Sequence, residues 1–373
     1  MIVGLQGKKI GLKFDRFDGE EVIETVENLK ESIRFNTKNQ FLCVNECLKI
    51  SDCYTVMLKD NVCTIFKSCT TSQKRKNRIN SIVFEKKVTI RLTLKSHTSW
   101  VRSLVVLYNG DLASASWDST IKIWNPNDWT LKMTLISQSD HILSLAVLKN
   151  GDLVSGSTQS KIKIWNLVDG TEKMTLNGHS SYISSLEILQ NGDLASGSWD
   201  STVKIWNPIE GTLRMNLSGH SYVESLAVLQ NGYLASGSWD STIKIWNPID
   251  GTIRMTLNGH LDAVLTLVDL HNGYLASGSA DKTVKIWNLI DGTVKLTISG
   301  HANYVESLAV LQNGDLPSGS YDHTIKIWNS DDGTEKITLD CHSNNVMTLA
   351  ILQNGDLVSG SADETIKIWS NSI

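Results

Sequence analysis

The stretch LASGSWDSTVKIW, residues 194–206, recurs in seven versions along the chain. The Trp that closes it stands at Trp124, Trp165, Trp206, Trp246, Trp287, Trp328 and Trp369, so successive copies lie 41, 41, 40, 41, 41 and 41 residues apart. A period of this size, with a Trp ending each unit, implies four-stranded β-propeller blades rather than stacked helix pairs. The expected fold is all-β: a seven-bladed propeller of four-stranded antiparallel blades over residues 88–373. A small α+β cysteine-containing domain is expected over residues 1–87.

In the third copy, residues 182–189, 194–198, 202–206 and 212–217 read as the four strands. Asn-Gly separates the first two strands of every copy, from Asn109-Gly110 to Asn354-Gly355. That dipeptide predicts a two-residue type I′ hairpin, with positive φ at both positions. The strands are nearly continuous runs of apolar or small residues because each blade is covered on both faces. Trp369 is followed by only four residues, so the seventh copy lacks a fourth strand of its own. Residues 88–94, VTIRLTL, match the fourth-strand pattern with no strands before them, and are expected to complete the seventh blade and close the ring.

Antiparallel alternation brings two recurrent residues to one end of the blades. One is His97, His179, His220, His260, His301 or His342; the other is Asp118, Asp200, Asp240, Asp281, Asp322 or Asp363. With the third-strand Trp and a second-strand Ser, this pattern resembles the WD-repeat family over residues 88–373. The resemblance implies a hydrogen-bonded structural tetrad in each unit. In the third unit it is His179, Ser196, Asp200 and Trp206, with Ser198 able to stand in for Ser196; in the fourth it is His220, Ser236, Asp240 and Trp246. The resemblance also implies a non-catalytic scaffold for protein interaction. His, Ser and Asp together invite comparison with a hydrolase triad, but a constellation repeated in most blades serves each blade's own packing.

Departures from the pattern are local. The usual Asp after the third-strand Trp is Asn in six units and Ser370 in the last. The second unit has Gln138 and Gln159 in place of His and Asp, and Lys161 in place of Thr, so loss of its tetrad is expected. Pro317 removes a backbone donor inside a second strand, which calls for a bulge. Trp129 takes a turn position that is Gly in the next five units, where positive φ is expected. His271 and His323 fall outside the tetrad register, lack metal-ligand partners at recognisable spacing, and read as solvent-exposed.

The copies differ most at the His/Asp end. Just before the first strand stand Trp100, His141, Tyr182, Tyr222, Ala263, Tyr304 and Asn345; just before the Asp stand Trp117, Thr158, Trp199, Trp239, Ala280, Tyr321 and Ala362. The aromatic members of both sets form a candidate partner-binding rim at the channel mouth, of the residue types that carry most interface energy. Arg102, Glu224 and Glu306 are candidates for orienting charge. The competing reading is that the rings were copied with the repeat and shield the tetrads from water.

Charge is unevenly split. Residues 1–87 hold 16 Lys/Arg against 11 Asp/Glu, whereas residues 88–373 hold 19 against 28. An acidic propeller argues against a nucleic-acid ligand. No apolar run is long enough to span a bilayer, and the first residues lack the apolar core of an export signal. No nucleotide loop, metal cluster or unrepeated nucleophile and base is present, so no enzyme activity, cofactor or metal is expected.

In the amino-terminal region, residues 20–32 place Val22, Val26 and Leu29 at helical spacing, and a second short helix is expected over residues 39–48. Five of the six cysteines, Cys43, Cys47, Cys53, Cys63 and Cys69, crowd into 27 residues. The stretch CVNECLKISDCYTVMLKDNVCTIF resembles a PAN/apple-type module. That resemblance implies disulfides Cys43–Cys63 and Cys47–Cys53, with Cys69 left over; four cysteines alone permit three pairings. Reduced thiols and a zinc site are the other readings, the latter disfavoured because residues 1–87 contain no His and no Cys-x-x-Cys knuckle.

The expected function is a scaffold binding a protein or peptide partner on the aromatic rim. The alternative is an extracellular adhesion or glycan-binding protein using the cysteine module and the same rim. Reduced thiols would place the chain in the cytoplasm; disulfides, with an export signal ahead of Met1, would place it outside the cell.

Overall fold

The computed structural model describes residues 90–138, 140–340 and 342–370 in full, and between residues 1 and 66 the backbone of six strands. Two compact units result, and each is taken by itself.

The larger unit contains seven four-stranded antiparallel sheets in the order of the chain. The third runs Ile183–Ile188, Leu194–Ser198, Thr202–Asn207 and Thr212–Ser218. Its second strand is buried at every position, and the small residues there have a steric cause. A Cβ added to Gly197 would come 2.8 Å from Val223 Cγ1 of the next blade. The fourth strand is the outer edge and is exposed along most of its length. The core is a set of layers between blades: Val154, Ile162 and Leu176 of the second blade pack on Ile183, Leu186, Leu194 and Trp206 of the third. The seventh sheet takes Ile90–Lys95 as its fourth strand, beside Thr365–Trp369.

The Asn-Gly turns differ from the expected type I′ form. In the third blade Leu189 N donates to Asp193 O at 2.8 Å and Gly192 N to Leu189 O at 2.9 Å, which encloses three residues rather than two. Only Gly192 has positive φ, +93°. Asn191 acts through its side chain: Oδ1 accepts from Asp193 N at 3.0 Å, and Nδ2 donates to Asp193 Oδ2 at 2.8 Å. A three-residue loop ending in a left-handed Gly uses the same dipeptide for another reason.

The residue after each Gly then meets the fourth strand. Lys132 reaches Asp111 at 2.7 Å, Lys173 reaches Asp152 at 2.7 Å, Arg214 reaches Asp193 at 3.3 Å and Lys336 reaches Asp315 at 2.6 Å. Blades four and five have Tyr instead of Asp and keep the contact as a cation over a ring. Arg254 lies 5.0 Å from the Tyr233 ring and Lys295 4.2 Å from that of Tyr274.

Trp129 has φ +61°, the conformation its Gly counterparts take, and its ring packs into the layer that holds Leu92 and Leu94. Pro317 does not sit in a bulge: the second strand keeps register with the third through Leu316↔Trp328, Pro317↔Ile327 and Ser318↔Lys326. The missing donor shortens the neighbouring first strand, which spans Val305–Leu308 where the third blade's spans Ile183–Ile188.

In the smaller unit, strands Ile2–Leu5, Lys8–Phe17, Glu20–Thr25, Ile33–Phe35, Thr55–Lys59 and Val62–Phe66 form one sheet in chain order. Glu20–Thr25 is thus a strand, not the start of the expected helix. It pairs with the preceding strand from Phe17↔Glu20 outward. The two residues between are Asp18-Gly19, a strong hairpin signal, and Val22, Ile23 and Thr25 are β-branched. The helix expected over residues 39–48 lies outside the described residues, as do Cys43, Cys47, Cys53 and Cys69. Cys63 falls in a strand described by its backbone alone. No helix of the described residues is long and apolar enough to cross a membrane.

Candidate functional site

At the end where fourth strands hand over to first strands, the His, Ser, Asp and Trp of six units close into hydrogen-bonded chains. In the third, Trp206 Nε1 donates to Ser196 Oγ at 2.8 Å and Ser196 Oγ meets His179 Nε2 at 2.7 Å. His179 Nδ1 meets Asp200 Oδ2 at 2.7 Å. Asp200 also accepts from the Thr202 hydroxyl at 2.6 Å and from Ser180 N at 3.0 Å. The fourth unit repeats this with Trp246, Ser236, His220 and Asp240. Ser198 does not stand in for Ser196; it accepts from Asp200 N and donates to Ser181 O.

Burial pushes these carboxyls up, but the His, Thr and backbone donors outweigh it. Asp200 is held well below the usual carboxylate range and Asp240 at about 2. Burial lowers His220, which favours its neutral form. Every polar atom of the tetrad is thus occupied by its own blade, as a structural brace requires.

The second blade keeps only Trp165 Nε1 to Ser155 Oγ, at 2.8 Å. Its linking loop has Ser137 where the third has Gly178, but the first unit closes its tetrad with Ser96 there, so the loss goes with Gln138, Gln159 and Lys161. The loop takes another path, with Gln138 at φ +46°.

Around this end the candidate rim residues fall into three groups. Trp100 and Trp117 stack at 4.5 Å, and His141 continues the stack at 5.5 Å from Trp117. Tyr182, Trp199, Tyr222 and Trp239 form a four-ring cluster: 5.0 Å from Tyr182 to Trp199, and 5.8 Å from Trp199 to each of Tyr222 and Trp239. Tyr304 and Tyr321 pair at 5.6 Å. Tyr182, Tyr222, Trp239 and Tyr304 are 40%, 47%, 48% and 41% exposed; Trp100, Trp117, Trp199 and Tyr321 are half-buried.

Arg102, Glu224 and Glu306 share a structural origin. Each first strand slips register one residue after its start, between Val101 and Ser103, Val223 and Ser225, or Val305 and Ser307. Such a bulge frees the intervening residue from the ladder and re-aims its side chain. Arg102 Nη1 donates to Glu306 Oε1 at 2.8 Å, and its Nη2 stands 3.8 Å from Glu224 Oε1. The side chains of Arg102, Glu306 and Glu224 are only 15%, 9% and 8% exposed, so Arg102 is held inward rather than displayed on the rim. Glu224 Oε2 accepts from Trp199 Nε1 at 2.7 Å and from Trp239 Nε1 at 2.9 Å.

That lock on two indoles was not legible in the sequence, because the bulge that aims Glu224 leaves no residue signature. His141 carries one signal, its register with the rim aromatics. His271 is exposed and 3.2 Å from Asp269. His323 is half-buried, not exposed, in the left-handed turn position that Ser201 fills in the third blade. Among the described residues no cluster of His, Cys, Asp and Glu could hold a metal ion.

Seven consecutive matches to the family described as WD domain, G-beta repeat, cover residues 89–125, 129–166, 170–207, 211–247, 251–288, 292–329 and 333–370. Among solved structures, that of the WD40 beta propeller domain of Doa1 is 29% identical, with a TM-score of 0.70. The similarity covers 76% of this chain and 97% of that one. Comparison with curated protein sequences gives no match.

Proposed function

We propose that this chain, which belongs to the WD-repeat family, is a non-catalytic scaffold that binds a protein or peptide partner on the aromatic rim of its propeller. The observation that supports this reading is the four-ring cluster Tyr182–Trp199–Tyr222–Trp239, two of whose indoles are fixed by one carboxylate. Rings ordered before binding lose little freedom on contact, and that ordering cost otherwise subtracts from affinity. Three of the four are at least 40% exposed, and exposed rings grouped on one surface are characteristic of interaction sites.

The test is capture of partners by the full chain against a Trp199→Ala/Trp239→Ala double variant. A Leu213→Ala/Ile253→Ala pair on the outer edges of the same two blades serves as control. Partners retained by wild type and control but lost by the rim variant, assayed well below the variant's own melting temperature, support the assignment. Equal capture by all three removes it.

A further inference from the structure

Arg102 is the only cation paired with Glu224 or Glu306 among the described residues. Its contact with Glu306 is a hydrogen bond, whereas 3.8 Å to Glu224 lies beyond hydrogen-bond reach. The remaining donors to Glu224 are two neutral indole N–H groups. Two carboxylates therefore share one guanidinium in a site largely withdrawn from water. One negative charge is left without a full counter-charge where such a deficit is costly.

We propose that the channel mouth accepts a basic side chain, lysine or arginine, of the partner, seated against Glu224 and the rings of Trp239 and Tyr222. This rests on the rim reading above and specifies the chemistry of the anchor. A cation there would supply the missing charge and meet aromatic faces whose quadrupoles attract it. The surplus of Asp and Glu over residues 88–373 would steer a basic segment toward the propeller.

Proton uptake belongs to the same chemistry. Burial pushes the Glu306 carboxyl up to about 7, with the Glu224 charge adding to the rise and Arg102 opposing it. The Tyr321 hydroxyl, itself raised by burial, is the fourth group facing it. In the free protein a proton can relieve the excess charge. A bound cation does so instead and releases that proton, so affinity rises as pH increases through about 7.

The experiment titrates the full chain with acetyl-Gly-Gly-X-Gly-Gly-amide peptides, X being Arg, Lys, Ala or Glu, read by tryptophan emission and calorimetry at pH 6 and 8. The Arg or Lys peptide is expected to bind at least tenfold more tightly than the Ala peptide, and more tightly at pH 8. Glu224→Gln, which keeps an oxygen for both indoles, is expected to weaken binding about tenfold with the melting curve unchanged. Equal binding of the Ala or Glu peptide, indifference to Glu224→Gln, or no binding of either basic peptide would overturn the proposal. Capture of partners that requires Trp199 and Trp239 but ignores Glu224→Gln would leave the rim reading intact and remove only the cationic anchor.

Discussion

Arg91 Nη1 donates to Asp356 Oδ2 at 3.1 Å, joining residues 265 positions apart. This is the same cation-to-hairpin contact that Lys132, Lys173, Arg214 and Lys336 make within their own blades. The first described strand of the propeller thus does for the last blade what each other blade's own fourth strand does.

Removing residues 88–94 should expose the third strand of the seventh blade and the apolar layer under Leu94. The expected outcome is loss of a single cooperative transition by calorimetry. Arg91→Ala alone should cost less than about 1 kcal/mol, because Arg91 is 58% exposed. A deletion variant that melts as sharply as wild type would show that the ring does not depend on this strand.

The second blade offers a gain-of-stability test. Installing Ser137→Gly, Gln138→His, Gln159→Asp and Lys161→Thr together should rebuild the brace and raise stability by roughly 1 kcal/mol, the usual worth of a satisfied buried hydrogen bond. Ser137→Gly is the dispensable member, because the first unit closes its tetrad with Ser96 at the same loop position. The other three changes alone should give most of the gain in thermal melts.

Glu187 occupies a first-strand position that is Val105, Ala146, Ala227, Val268, Ala309 and Ala350 in the other blades. Burial pushes its carboxyl up to about 7. The folded value lies above the unfolded one, so the native state holds the extra proton. Stability falls as pH rises from about 4.5 to about 7, then levels off. Glu187→Ala should therefore stabilise by on the order of 1–2 kcal/mol at pH 8 and be near neutral at about pH 4.5. Equal effects at both pH values in denaturant titrations would refute this. Asp240, held at about 2, has the opposite sign: its contribution is present above about pH 4 and lost toward pH 2.

Pro317→Ala should restore a donor opposite Ala309 and lengthen the sixth blade's first strand. Net stability should change by less than about 1 kcal/mol, since the recovered hydrogen bond is offset by a looser unfolded chain. The amide introduced by the substitution should exchange slowly with solvent, and exchange at Ala309 should slow relative to wild type. Unchanged exchange at Ala309 would mean that the proline is not what ends the strand.

The blades were legible because their determinants are local and repeated: a small-residue second strand, a Trp ten residues past the braced Ser, and a turn dipeptide. Even there the mechanism of the turn was not, because Asn191 could serve through its φ or through its amide, and the dipeptide reads alike either way. The rim positions followed from comparing copies. What those side chains do to one another did not, since the slip between Val223 and Ser225 recurs in every first strand whatever residue it frees, and so has no residue signature. In the amino-terminal region the carboxylate-rich stretch after Gly19 suggested a helix because Val22, Val26 and Leu29 match its period. The hairpin signal in front of it and its β-branched content favoured a strand.

The shared seventh blade also sets an order of events during synthesis. Strand Ile90–Lys95 leaves the ribosome 270 or more residues before its partner Thr365–Trp369. At about 5–20 residues per second it waits roughly 15–55 s without the one strand it pairs with. Six sheets can form in sequence during that time, each from residues already made. The ring joins only when the last repeat is released, so any nascent chain stopped short of Trp369 carries an unpaired edge at both ends.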